Sequence, residues 1–314
     1  MELKRLLNIK YIIIVCAALV LNIILFTFQA TAGGNKINED SKRDLRIRTE
    51  YIENYKSNIQ NIVDRAEKLK KQRLFSNPES FSYKNIIKTG KDYEKLININ
   101  LSADNSKAVR AISKYSMFIG ISAILTLLLM NNLFKERDNN MWQLTYMSKN
   151  GRAYLGLVRI ADIFIISLIQ HFLLYITVAF TSFILFGGLG DLYNPIQNIS
   201  EFGQCTLVIN KAEYLIADFL LTYLSVVVAT SIIYMLMNVF RNRKNVFIGT
   251  GVFVIIEYFI YINTESQSIY RLLKYINICN LFRNYICLFD YLFISSQMSA
   301  KPYFIGSTGI LLLW

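Results

Sequence analysis

Apolar and polar positions are sorted along this chain into long blocks. From Tyr11 to Phe28 every residue is apolar except Asn22 and Thr27. Further predominantly apolar blocks run over Tyr115 to Leu133, Ile160 to Phe186, Tyr214 to Phe240 and Val246 to Ile262. A bilayer core about 30 Å thick is crossed by roughly 20 apolar helical residues. Each block therefore predicts a membrane-spanning helix, and the third is long enough to tilt or protrude. A last run starts at Pro302 and stops at Trp314. At 1.5 Å per residue it covers only about 20 Å, so a sixth span is expected to be cut short there, the alternative being a last helix only partly inserted.

The first block carries two readings. Lys4, Arg5 and Lys10 ahead of an apolar stretch, with Ala30-Thr31-Ala32 behind it, match a secretory signal with its cleavage site. Yet 18 residues are long for a signal and adequate for a span. The expectation is an uncleaved first span over residues 1–30, the short basic N-terminus included.

Residues 31–114 have no long apolar run and read as an aqueous domain. Tyr51, Tyr55, Ile59, Ile62, Ala66 and Leu69 recur at intervals of three and four, which draws one apolar stripe on a helix. Ser76-Asn77-Pro78 breaks it, and Tyr83, Ile86, Ile87, Tyr93 and Leu96 mark a second, less regular helix. Two helices folded back on each other would bury both stripes. The stripe is then the core of a small hairpin, or else a docking surface for a substrate or partner.

Charge sets the expected orientation. Lys and Arg number three in the first ten residues, five over 134–159 and three over 241–245, against one over 187–213 and four in the longer stretch 263–301. The dense loops alternate with the sparse ones, which puts the N-terminus in the cytoplasm and residues 31–114 outside. The net charge of +12 does not argue for nucleic acid. Of the 34 Lys and Arg, 18 lie in residues 31–114 among 11 acidic residues, and most others flank apolar blocks. The fold class that follows is an all-α polytopic membrane protein: a six-span bundle with a helical extracytoplasmic domain between spans 1 and 2. Residues 115–314 then hold spans 2–6. In residues 263–301, Tyr270, Leu273, Ile276, Cys279, Phe282 and Leu288 to Phe293 form amphipathic stretches that read as interfacial or re-entrant helices.

Little here points to covalent chemistry. The chain has a single histidine, His171, and four cysteines, Cys16, Cys205, Cys279 and Cys287, with no CxxC pair, which argues against a zinc site and a His-based catalytic pair. Cys279 and Cys287 are spaced for a bridge or stand as free apolar thiols. No GxxxxGK[ST] phosphate loop is present, so no ATP or Mg site is expected in this chain. Gly187-Gly188-Leu189-Gly190 reads as a turn after the third span, and Gly249 and Gly251 as sites of close helix packing. Asp162, His171, Asp218 and Glu257 are ionisable residues within apolar blocks, where cost makes function the default reading. Asp162 and Asp218 lie near span ends and can reach headgroups or water. Glu257 and His171 lie deep, where each faces a polar cavity or bonds neighbouring helices. Glu257, His171 and Asp218 are the candidates for a substrate pathway.

The connection from Phe134 to Arg159 holds the most specific segment. Asn139 or Asn140 can cap a short helix carrying Met141, Trp142, Leu144, Thr145, Tyr146 and Met147, and Gly151 can end it. It is an interfacial helix lying on the membrane or a handle for a cytoplasmic partner. Glu136 after the second span, that helix, Ser148-Lys149-Asn150-Gly151 and Arg152 before the third span together resemble the permease subunits of ABC exporters, the type with six spans per chain. The outer segment Asn263 to Lys301 is similar to the re-entrant helices of that family. The resemblance is of layout. The usual Gly of the short helix is absent, Asn140-Met141 standing there, and Lys149-Asn150-Gly151 replaces the Pro of the turn.

The resemblance implies a chain that moves a peptide, antibiotic or other amphipathic substrate outward and is not itself an enzyme. Energy would come from two copies of a separate ATPase subunit, which bind ATP and Mg and engage Glu136, Met141, Trp142, Leu144 and Arg152. A second permease chain, identical or homologous, would complete the path in the cell membrane. No nucleic-acid partner and no metal are expected. The alternative is a membrane sensor or immunity protein that binds a peptide through residues 31–114 and needs no ATPase.

Overall fold

The computed structural model describes residues 9–32, 41–72, 77–78, 81–102, 104–138, 151–203, 205–240 and 243–265. Among them the protein is all-helical. In chain order the α-helices are α1 (Ile9–Ala32), α2 (Ser41–Lys70), α3 (Phe81–Ile97), α4 (Lys107–Lys114), α5 (Met117–Asp138), α6 (Gly151–Phe186), α7 (Lys211–Val239) and α8 (Arg243–Glu265). Two 3-10 turns, Ile196–Asn198 and Ser200–Phe202, sit in the connection between α6 and α7. Among the described residues three segments are long and apolar enough to cross a membrane: Ile9–Thr31, Gly156–Phe186 and Lys211–Val239. A fourth is added if α4 and the first part of α5, separated by a break at Tyr115 and Ser116, count as one broken span. In α8 the described residues include the shorter apolar stretch Lys244–Ile256.

The chain divides into two compact units, the cuts falling inside α6 and α7 and at the α4–α5 break. The first unit comprises the described residues within Met1–Ala32, Tyr115–Thr181 and Phe219–Asn284. Its apolar core draws on five helices: Tyr11 from α1, Leu129 and Met130 from α5, Ile163 and Ile166 from α6, Ile233 and Met237 from α7, and Val246 from α8. The contributions of α6 and α7 are spaced by three and four residues, so each of these helices turns one stripe inward. The outward stripes are bare and apolar: Ile12, Ile13, Val20 and Ile24 on α1, Leu168, Phe172 and Ile176 on α6, and Ile248, Val252 and Ile255 on α8 are exposed. An exposed apolar surface of this extent suits lipid rather than water.

The second unit comprises the described residues within Gly33–Lys114, Ser182–Asp218 and Tyr285–Trp314. Here α2 and α3 pack as a hairpin about Tyr55, Ile59, Tyr93, Leu96 and Ile99. Every member of the stripe Tyr51, Tyr55, Ile59, Ile62, Ala66 and Leu69 is buried or half-buried. The two helices come close where Ala66 meets Gly90, whose missing Cβ would lie 3.5 Å from that of Ala66. A second core gathers Val109 of α4, Ile196, Ile199, Phe202 and Cys205 of the connection, and Tyr214 of α7.

The turn after α6 uses its glycines for backbone shape. Gly187, Gly188 and Gly190 have φ of 70°, 127° and 72°, a region that costs other residues a clash at Cβ. The Gly188 amide donates to the Phe183 carbonyl at 2.9 Å and closes the helix. A Cβ at Gly190 would run into the backbone of Asn105, so this position needs glycine for space as well.

Candidate functional site

Polar side chains buried between apolar helices are the chemically unusual feature of the first unit. Asn22 interrupts the apolar run of α1 and is fully buried. Its Nδ2 donates to the Leu174 carbonyl at 3.1 Å and to Thr177 Oγ1 at 3.0 Å, both on α6. Its Oδ1 accepts from Tyr115 Oη at 2.8 Å. Tyr115 also packs edge-on against Phe26 of α1, ring centroids 5.2 Å apart. Three turns earlier on α1 a second clamp forms. Tyr11 Oη donates to the Leu125 carbonyl at 3.2 Å and to Gln170 Oε1. Gln170 Nε2 in turn donates to Thr126 Oγ1 at 2.7 Å and to the Ser122 carbonyl at 3.3 Å. In both clamps the amide uses both N–H groups and its oxygen. A satisfied amide between helices fixes their register, since any slip strands a polar group in an apolar interior.

His171 lies one residue beyond Gln170 and is also fully buried. Its Nε2 is 3.0 Å from Thr222 Oγ1 of α7. Its ring is walled by Phe118, Phe219 and Tyr223, at centroid distances of 5.4, 5.6 and 5.9 Å. Nδ1 finds no hydrogen-bond partner among the described residues. Tyr223 Oη donates to the Phe164 carbonyl at 3.0 Å, a further tie from α7 to α6. His171 thus sits in an aromatic box and bonds a neighbouring helix.

The second unit has its own polar knot. Asp104 precedes α4 and its carboxylate collects five donors. Oδ2 accepts from Lys211 Nζ at 2.5 Å, Asn194 Nδ2 at 3.1 Å and the Asp191 amide at 3.1 Å. Oδ1 accepts from Ser106 Oγ at 2.7 Å and Asn198 Nδ2 at 2.6 Å. Lys211, the first residue of α7, is fully buried, and its ammonium also reaches Ser106 Oγ at 3.0 Å. Burial alone would raise the Asp104 pKa, but the bonds from Lys211, Ser106 and Asn194 outweigh it and hold the carboxyl below its usual 3.8. The carboxylate therefore stays charged and joins three stretches of chain at one point. Nearby, burial pushes the Cys205 thiol up, with the Leu207 carbonyl bond beside it, and the hydroxyls of Tyr55 and Tyr93 are likewise raised by burial. None of these groups is set up as a nucleophile at neutral pH.

Of the pathway candidates, His171 and Asp218 are buried, in α6 and α7. Asp162, which is not one of them, is half-buried. Glu257 lies in α8, with its side chain outside the described residues. His171 belongs to the first unit and Asp218 to the second. Of the coupling candidates, Glu136 and Arg152 lie on α5 and α6, again without described side chains, and Met141, Trp142 and Leu144 lie outside the described residues. Sequence reasoning missed the two amide clamps and the Asp104–Lys211 knot. Asn22, the single amide in the first apolar block, was the visible signal for one of them. Among the described residues no group of three His, Cys, Asp or Glu gathers to hold a metal ion.

Comparison with known families, with curated proteins and with solved structures gives no match.

Proposed function

We propose that this chain is the membrane-spanning permease subunit of an ATP-driven exporter, moving a peptide or other amphipathic substrate outward. The bundle of apolar helices sits in the cell membrane with residues 31–114 on the outer side, and six spans complete it. The observation that supports this reading best is the form of the helix ends around residues 139–150. The apolar block of α5 ends at Leu133, but the helix continues to Asp138. At 1.5 Å per residue that places Glu136 about 4.5 Å beyond the apolar block. The helix α6 likewise starts at Gly151, ahead of the apolar block that begins at Ile160. Glu136 and Arg152 thus ride on rigid extensions of two spans, flanking the short connection that carries Met141, Trp142 and Leu144.

Such extensions suit a lever. An ATPase that grips the connection and changes shape on nucleotide binding displaces α5 and α6 together. It drives transport only by binding one permease conformation better than the other. The amide clamps of Asn22 and Gln170 tie α1 to the same two helices, so α1 moves with them as part of one body. The permease breaks and forms no covalent bond.

The test is to express the full chain with the ATPase encoded beside it and to purify through this chain. The ATPase is expected to copurify, and Glu136→Ala together with Trp142→Ala is expected to lower both its recovery and export. If association and export stay at the level of the unmutated chain, the coupling role is wrong. If no ATPase copurifies with the unmutated chain, the exporter reading falls.

A further inference from the structure

The connection between α6 and α7 carries apolar side chains that the fold leaves bare. Tyr193 is 84% exposed, Val208 56% and Leu207 37%. They are not on a loose loop. Ile196 N donates to the Ile209 carbonyl at 2.9 Å, Lys211 N to the Asn194 carbonyl at 3.0 Å and Ala212 N to the Leu192 carbonyl at 3.1 Å. Tyr193 N donates to Asp191 Oδ1 at 3.0 Å. The connection also has an apolar underside, Ile196, Ile199, Phe202 and Cys205, packed on Val109 and Tyr214. The hairpin helix α2 occupies another part of it, Tyr51 Oη donating to the Gln197 carbonyl at 2.9 Å. What remains uncovered is Tyr193, Leu207 and Val208.

The two helices that the connection joins show where a bilayer would end. On α6, beyond Arg159 and Asp162, large exposed apolar side chains run from Ile165 to Ile184, about 28 Å of helix. On α7 they run from Ile216 to Val239, about 34 Å. Both lengths approximate the roughly 30 Å of a hydrocarbon core. Ile184 and Ile216 therefore mark one edge of the lipid-facing belt, and the connection starts within a turn of it. That is the depth at which tyrosine is favoured, its ring among acyl chains and its hydroxyl among headgroups. Residues 187–210 contain Asp191 and Glu201 and no Lys or Arg, so charge does not recruit them to an anionic surface.

We infer that the α6–α7 connection is a membrane-interface anchor, with Tyr193, Leu207 and Val208 seated in the glycerol and upper acyl region of the same bilayer that α6 and α7 cross. This rests on the membrane-spanning reading of those helices, not on the exporter reading. Anchoring needs no anionic lipid. It holds the outer ends of both helices at a fixed depth, where the Asp104–Lys211 knot ties them to the start of α4.

The full chain, with Trp142→Phe and Trp314→Phe to remove its own tryptophans, is reconstituted in phosphatidylcholine vesicles with Tyr193→Trp or Val208→Trp. A third chain with Phe172→Trp, a lipid-facing position in the middle of α6, serves as reference. Lipids brominated near the glycerol are expected to quench residues 193 and 208 at least about twofold more than lipids brominated near the chain ends, with the order reversed at 172. Aqueous iodide is expected to quench 193 and 208 weakly. Strong iodide quenching without bromine quenching at 193 and 208 overturns the anchor, and so does protection from both, which would mean a protein cover. If 172 also escapes the bromines, the spanning reading fails instead.

Discussion

Asn22 shows how one polar side chain can decide the placement of an apolar helix. In lipid the amide gains nothing from exposure, and at the centre of α1 it bonds Leu174, Thr177 and Tyr115 instead. Interhelical hydrogen bonds of this sort average about 0.6 kcal/mol and reach about 1.7. A double-mutant cycle between Asn22→Ala and Tyr115→Phe, read from unfolding in detergent, is expected to give a coupling in that range. A coupling of zero would mean that the bond does not hold α1 in place. Asp104 makes the electrostatic counterpart, outside the apolar segments. Its pKa is lowered in the folded state, so its stabilisation is fully present above the ordinary value of 3.8 and is lost as the pH falls through the folded value. The difference in unfolding midpoint between the unmutated chain and Asp104→Asn should stay constant from neutral pH to near 4 and shrink below it. A difference that grows on acidification would reverse the sign argued here.

At the scale of elements, the two clamps bear on the fate of α1. Cutting after Ala32 and removing this helix would take from Tyr115 Oη and Gln170 Oε1 the partners they have on α1, in an apolar surround. The mature protein is therefore expected to keep α1. The check is a tag placed ahead of Met1, which should remain in the membrane fraction at the full mass of the chain. A shortened chain that has lost the tag would make residues 1–32 a leader. The sequence left this open because an A-x-A end and a spanning length were both legible, and the partners that decide between them are 159 and 152 positions away for Tyr11 and Asn22. The hairpin was legible for the opposite reason. The stripe from Tyr51 to Leu69 lies on a single helix, and its spacing of three and four records burial whatever it packs on. Helix α4 was not foreseen, because its eight residues begin and end in Lys and leave too short a period to read. The bond between Asp104 and Lys211 joins positions 107 apart, each unremarkable in its own surroundings.

For the whole molecule, orientation is the property that the charge pattern predicts and that the exporter reading needs. Lys and Arg are dense in residues 1–10, 134–159 and 241–245 and sparse over 187–213. Under the charge rule short basic loops stay in the cytoplasm, whereas a long segment such as 31–114 can cross despite a net charge of +7 from its 18 basic and 11 acidic residues. The two segments joined by α5 and its short predecessor must then lie on opposite sides. With Cys16, Cys205, Cys279 and Cys287 replaced, Ser57→Cys on the exposed side of α2 and Ser148→Cys in the connection give one reporter on each. A thiol reagent that cannot cross membranes is expected to label Ser57→Cys on intact cells, and Ser148→Cys only after the cells are opened. The inverse result would put residues 31–114 in the cytoplasm and leave 139–150 facing away from any ATPase, so the lever drawn from the α5 and α6 extensions would have nothing to engage. Labelling of both on intact cells would mean that α5 does not cross at all. The helix would then have to bury, against protein, the apolar face that now includes exposed Met117 and Ile124.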